Sequence, residues 1–158
     1  MSTEIKRRIF LKRSLAAGTV GVAAAAGLLA PQRLLAAWNK EAFEAKELPA
    51  ALDALLGMSD VAESADITVK APDIAENGAV VPVTVETGME GVESVSIIAS
   101  NNPVPLVANF VMGTGASGFV STRIKMGKTG DVIGVVKAGG KLHSAKKEVK
   151  VTIGGCGG

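Results

Sequence analysis

One cysteine, one histidine, one tryptophan and no tyrosine are all that this chain offers of the side chains that most often carry metal or redox chemistry. Each shortage excludes something. His143, beside Ser144 and with only Cys156 for a soft-ligand companion, cannot complete a Cys/His zinc site, and it has no orienting carboxylate at the spacing of a catalytic triad. Glu86, Glu90 and Glu93 crowd into what reads as a turn, where they serve solubility better than acid–base work. Gly113-Thr114-Gly115 lacks the lysine and the strand-to-helix setting of a phosphate loop. Met58, Met89, Met112 and Met126 are irregularly spaced with no accompanying His or Cys, so they read as core filler rather than as Cu(I) ligands. No catalytic set and no cofactor or metal motif remains, and the expectation is a non-enzymatic protein.

Charge and hydropathy exclude further classes. The chain holds 17 basic and 15 acidic side chains, but six of the basic ones (Lys6, Arg7, Arg8, Lys12, Arg13 and Arg33) and only Glu4 of the acidic ones fall in residues 1–37. The remainder carries 11 basic and 14 acidic groups, a formal −3. A mildly acidic body without basic residues interleaved with aromatics has no electrostatic reason to bind nucleic acid. The longest uncharged stretch near the start, Ser14 to Ala30, is rich in alanine and glycine and falls short of the ~20 strongly apolar residues of a stable span. No stable membrane anchor is expected.

What is present begins with Lys6-Arg7-Arg8-Ile9-Phe10-Leu11-Lys12, adjacent arginines before a Phe-Leu pair, which resembles the twin-arginine export motif. The moderately apolar stretch, Pro31 and the small residues Ala36-Ala37 complete a signal peptide over residues 1–37, with cleavage next to Ala37. Twin-arginine export moves folded proteins. With no cofactor motif in sight, that route points to a subunit acquired before export, and the expected destination is the periplasm.

Residues 38–60 form the next segment. Phe43, Leu48, Ala51, Leu52 and Leu55 recur at helical spacing, Pro49 interrupts the pattern, and Gly57 ends it, which predicts one broken amphipathic helix packed on the domain. From 61 to 153 the period changes to two. Asp66–Ala71, Val80–Glu86, Glu93–Ser100, Leu106–Met112, Phe119–Lys125, Asp131–Ala138 and Lys141–Ile153 are β-rich runs separated by turn formers, and seven such runs suit an immunoglobulin-like antiparallel β-sandwich. The paired cysteines, core tryptophan and tyrosine corner of antibody domains are missing, so the likeness is architectural. Gly139-Gly140 predicts a two-residue hairpin. Pro82, inside Val80-Val81-Pro82-Val83, has no N–H to give a neighbour and predicts an edge strand or a bulge.

Residues 154–158 read Gly154-Gly155-Cys156-Gly157-Gly158. Two glycines on either side strip every Cβ from the neighbourhood of the thiol and predict a narrow, flexible arm that cannot bury its cysteine. Such an arm would suit a deep pocket in another protein. An unpaired cysteine in an exported chain either pairs with another chain, reacts as a free thiol, or sits in incidental disorder. With no cation in the run, only about a few per cent of the thiol is ionised at neutral pH, so whatever uses it must activate it.

The Gly-Gly-Cys-Gly-Gly run behind a twin-arginine leader, a short helix and a sandwich resembles the SoxY family, the sulfur-carrier subunits of the bacterial thiosulfate-oxidising (Sox) system. The resemblance implies that Cys156 holds covalent sulfur intermediates, with no other cofactor, on an arm made of Gly154, Gly155, Gly157 and Gly158. It implies an obligate SoxZ-like partner in a heterodimer. It also implies three visiting enzymes: a c-type cytochrome that conjugates thiosulfate to the thiol, a hydrolase that releases sulfate, and a dehydrogenase that oxidises the remaining sulfane sulfur. The alternative from another class is a periplasmic interaction module that dimerises through a Cys156 disulfide.

Overall fold

The computed structural model describes residues 39–152. The expected signal with Arg7 and Arg8, and the arm with Cys156, lie outside the described residues.

The described residues open with two short helices, α1 (Lys40–Glu44) and α2 (Leu48–Leu56). Asn39 caps α1 by accepting from the Ala42 amide through Oδ1 (3.0 Å) while its Nδ2 donates to the Ala54 carbonyl (2.6 Å), so one side chain starts the first helix and ties it to the second. Pro49 falls in the first turn of α2, where a missing N–H costs nothing, and Gly57 closes α2 with a positive φ of 73°. The broken helix expected from the apolar spacing is thus two helices, separated ahead of the proline.

Nine strands follow among the described residues: β1 (Val61–Glu63), β2 (Ile67–Lys70), β3 (Ile74–Ala75), β4 (Val81–Thr87), β5 (Val92–Ala99), β6 (Leu106–Val111), β7 (Phe119–Ile124), β8 (Gly130–Ala138) and β9 (Lys141–Val151). The larger sheet runs β1-β9-β8-β5-β6 and the smaller β2-β4-β7. The fold is the expected immunoglobulin-like sandwich, antiparallel apart from two short parallel pairings: β1 along the first half of β9, and β3 along its last residues. All seven expected runs are strands. The two additions, β1 and β3, are three and two residues long and show no period of their own.

Alternation along the strands builds two cores. Val81, Val83 and Val85 of β4, Val120 and Ile124 of β7, Val95 and Ile97 of β5, Val132 and Val136 of β8 and Val149 of β9 meet between the sheets. The opposite face of the larger sheet, with Ile98, Leu106, Val135 and Leu142, receives Ala42, Ala51 and Leu52 of the helices. Sequestering each such Val, Leu or Ile contributes about 1.5–3 kcal/mol, so these cores rather than the helices' own propensity hold the entry segment down. Gly134 marks the closest approach of the layers: a Cβ there would lie 3.0 Å from both Val85 methyls and 3.2 Å from Val69 Cγ2. The methionines at 58, 89, 112 and 126 fill core space, Met126 buried between the sheets, Met89 and Met112 partly buried against the same core and Met58 partly buried against the helix-side core.

Two expectations need correction. β4 is the central strand of its sheet, not an edge. Pro82 is nonetheless tolerated there because β2 reaches only as far as Thr84, leaving Val81–Val83 paired on the β7 side alone. The odd-numbered amides of β4 face that side, as Thr87 N donating to Gly118 O shows, so the missing N–H of Pro82 points past the end of β2. Nor do the three glutamates share a turn. Glu86 lies in β4 and pairs with Lys70 (2.7 Å), Glu93 lies in β5 and pairs with Lys137 (3.3 Å), and Glu90 alone sits between strands.

Candidate functional site

The thiol-bearing run follows β9, so the described part of the site is the root from which it departs. β9 leaves its hairpin at Gly139-Gly140, whose φ values of 57° and 71° match the expected two-residue turn, and runs antiparallel to β8 until Gly130 faces Val149. Beyond that point β8 has ended, and other groups take over. The Thr129 hydroxyl accepts from the Val151 amide (2.9 Å). On the opposite edge Lys150 N donates to Asp73 O (2.9 Å) and Thr152 N to Ala75 O (3.1 Å), which is the β3 pairing. The last described residues are therefore held from both sides.

A second layer supports this clamp. The segment between β3 and β4 lies against it, with Met126 N donating to Gly78 O (2.7 Å). Gly78 must be glycine: a Cβ would run into the Met126 carbonyl oxygen and come within 2.8 Å of Val151 Cγ1. Asn102 spans the neighbouring loop, its Nδ2 donating to Lys125 O (2.8 Å) and its Oδ1 accepting from Gly127 N (2.9 Å), while Asn101 Nδ2 donates to Thr129 O (2.7 Å). Cys156 is four steps along the chain from Thr152, so its Cα lies within about 14 Å of the clamp at 3.3–3.6 Å per residue.

Elsewhere among the described residues the raw material of catalysis is scattered. His143, half-buried in β9, stands opposite Val136 of β8 and Ala62 of β1, and no group of three His, Cys, Asp or Glu could hold a metal ion among the described residues. A concavity of about 520 Å³ beneath α2 is lined by Leu48, Leu52, Val61, Ile133 and Val135, with Ser64, Ser144, Glu63 and Lys146 also on its wall but neither histidine nor cysteine. No helix of the described residues is long and apolar enough to cross a membrane.

The cysteine was legible in the sequence; its clamp was not. β3 is too short to announce itself, and the Thr129–Val151 bond joins residues 22 apart. Asn77-Gly78 is a turn-forming pair, and it is the one local signal the sequence offers for the close approach at Gly78.

The profile of the family described as "Sulfur oxidation protein SoxY" matches residues 52–156, from within α2 through Cys156. Among solved structures, the sulfur carrier protein SoxY from Chlorobium limicola f thiosulfatophilum aligns at 48% identity and a TM-score of 0.59, over 65% of this chain and 94% of that one. A superoxide reductase (neelaredoxin) from Ignicoccus hospitalis aligns at 17% identity and a TM-score of 0.48, over 54% of this chain and 80% of that one, and carries no argument. No curated protein matches the chain. A match that takes in the helix-backed sandwich, the clamp and the cysteine itself establishes that the chain belongs to the SoxY family of sulfur oxidation proteins.

Proposed function

We propose that the chain carries sulfur intermediates of thiosulfate oxidation covalently on Cys156. The observation that carries this reading is that the family match extends past the sandwich and ends on Cys156. The glycines at 154, 155, 157 and 158 leave the thiol without a Cβ on either side, which suits insertion into a narrow enzyme pocket. Residues 1–37 act as a twin-arginine signal through Arg7 and Arg8, residues 38–60 as the helical support, 61–153 as the sandwich and 154–158 as the arm, and the protein works in the periplasm beside a SoxZ-like subunit.

The chemistry balances with the carrier as substrate rather than catalyst. A c-type cytochrome enzyme joins the Cys156 thiolate to the outer sulfur of thiosulfate, forming an S–S bond, and takes up the two electrons released. A hydrolase adds water across the bond to the sulfonate group, releasing sulfate and two protons and leaving a persulfide on Cys156. A dehydrogenase then oxidises the outer sulfur of that persulfide to a sulfonate, taking its three oxygens from three waters, releasing six protons and passing six electrons to the enzyme's own electron acceptor. Because an isolated thiol of ordinary acidity is mostly protonated at neutral pH, each enzyme must supply its own activation.

Intact-mass spectrometry of the protein recovered from thiosulfate-grown cells, before and after reduction, tests the reading. Adducts that fragment to Cys156 and vanish on reduction support it; unmodified thiol with only a stable Cys156–Cys156 dimer would favour a disulfide-linked interaction module instead. Gly155→Val and Gly157→Val should slow enzymatic loading at least several-fold with an unchanged thermal transition, measured in a reconstituted system. Unchanged turnover would remove the steric role of the arm.

A further inference from the structure

The described surface exposes four large apolar side chains, Ile74, Val80, Val111 and Phe119, and they fall at the two ends of the sandwich. Val111 and Phe119 belong to the end where β6 passes to β7. Ile74 and Val80 belong to the other end, at the root of the arm. Ile74, 57% exposed, stands in register with Lys150, and Val80, 50% exposed, follows the Gly78 turn that lies against Val151. Neither contributes to the cores. Ala75 beside Ile74 and Val81 beside Val80 are the buried members of their pairs.

The geometry points to Ile74 and Val80 as the docking surface for the enzymes that act on Cys156. This rests on the carrier reading above and goes beyond it by locating the contact on the body of the protein. Reach decides where such an enzyme can rest. The Cα of Cys156 lies no more than about 14 Å from Thr152 along the chain. A transient interface at the low end of the usual range buries about 600 Å² on each partner, a disc roughly 14 Å in radius. An enzyme that encloses the thiol therefore rests on the groups around Thr152, and Ile74 and Val80 are the large apolar ones exposed there. Around them Lys128, Lys150 and Glu76 are exposed, and Asp73 is paired with Lys147 at 3.0 Å. An apolar centre within a rim of both charges is the anatomy of a specific but reversible contact. The clamp holds this patch and the origin of the arm in one fixed relation, so several enzymes with the same apolar lip around a narrow channel can use it in turn.

The test is the concentration dependence of enzymatic loading of Cys156 with thiosulfate, using the full mature chain in complex with its SoxZ-like subunit as substrate. Ile74→Lys with Val80→Lys should raise the KM for the carrier about tenfold or more, the scale on which apolar anchors act. The reaction of Cys156 with a small disulfide reagent and the thermal transition should stay unchanged, because both side chains are outside the cores. Val111→Lys at the far end is the control and should leave the KM alone. An unchanged KM in the double variant, or an equal rise from Val111→Lys, overturns the docking surface. Wild-type chain that is not loaded at all, or that loads equally as Cys156→Ser, overturns the carrier reading and the docking surface with it. Should the double variant melt early, Ile74→Thr with Val80→Thr, which keeps β-branched side chains, is expected to raise the KM by a smaller factor and decides the matter.

Discussion

The two ends of the sandwich are built differently. At the root end, side chains cross from loop to loop: Asn101 to Thr129, Asn102 to Lys125 and Gly127, the Ser100 hydroxyl to the Asp131 amide, and Thr129 to Val151. Each joins residues more than 20 apart in sequence. At the far end the loops 88–91 and 112–118 are rich in glycine. Backbone bonds anchor the ends of the second loop to the neighbouring strands, Met112 N to Glu93 O and Thr87 N to Gly118 O. Within the loops the bonds are local, such as Met89 N to the Thr87 hydroxyl and Ala116 N to Gly113 O, and no side chain crosses from one loop to the other among the hydrogen bonds of the described residues. Long-range bonds remove more freedom from a loop than local ones, so the root end is the stiffer. Rigidity is placed where the chain passes from β9 into the glycine-flanked cysteine. A thiol on a side-chain-poor arm gains defined reach only if the arm starts from a fixed point.

Glycine substitutions break this comparison most sharply. Gly78→Ala sets a Cβ against the Met126 carbonyl and Val151 Cγ1, with backbone on one side that cannot swing away, and should destabilise by about 2–3 kcal/mol. Gly88→Ala at the far end meets nothing within 4 Å and does not need a positive φ, so it should change stability by under about 0.5 kcal/mol. Denaturant titration of both variants checks the pair. Equal effects would show that the ends do not differ in packing.

Removing a side-chain bridge sharpens the comparison at lower cost. Asn102→Ala frees the Lys125 carbonyl and the Gly127 amide, both exposed enough to turn to water, and should cost about 1–2 kcal/mol. Amide hydrogen exchange offers the finer readout. Protection should fall at Gly127 and Val151 and stay unchanged at Thr87 and Met112.

How legible all this was in the sequence depended on distance along the chain. The seven long strands and the Gly139-Gly140 hairpin follow from local alternation and local turn chemistry, and the structure has them all. β1 and β3 exist only because β9 lends them a partner 81 and 76 residues away, so no local pattern announces them. Pro82 misled for a related reason. A proline reports that one N–H is missing, and whether a neighbour is there to miss it depends on where β2 stops. Glu86 and Glu93 looked like turn residues because charge suggests solvent, whereas each sits on a strand with a lysine across from it. At the site, Cys156 stood out by its glycine flanks, while the Thr129, Asn102 and Ala75 contacts that hold its root are pairings between distant residues of ordinary type.

The mildest expected effect concerns the larger sheet midway between its ends. β5 is covered on both faces, and two serines occupy its helix-side face. Ser96 donates to Asn109 Oδ1 at 2.9 Å, whereas the buried Ser94 Oγ has no hydrogen-bond partner among the described residues. A satisfied buried hydroxyl repays its desolvation and an unsatisfied one does not. Ser94→Ala should therefore leave stability unchanged or raise it by up to about 1 kcal/mol, while Ser96→Ala, which strands the Asn109 oxygen, should lower it by about 1 kcal/mol. Opposite signs from two serines on the same face of one strand would locate the difference in hydrogen bonding rather than in burial. A loss from Ser94→Ala as large as that from Ser96→Ala would mean that its hydroxyl has a partner in the native protein.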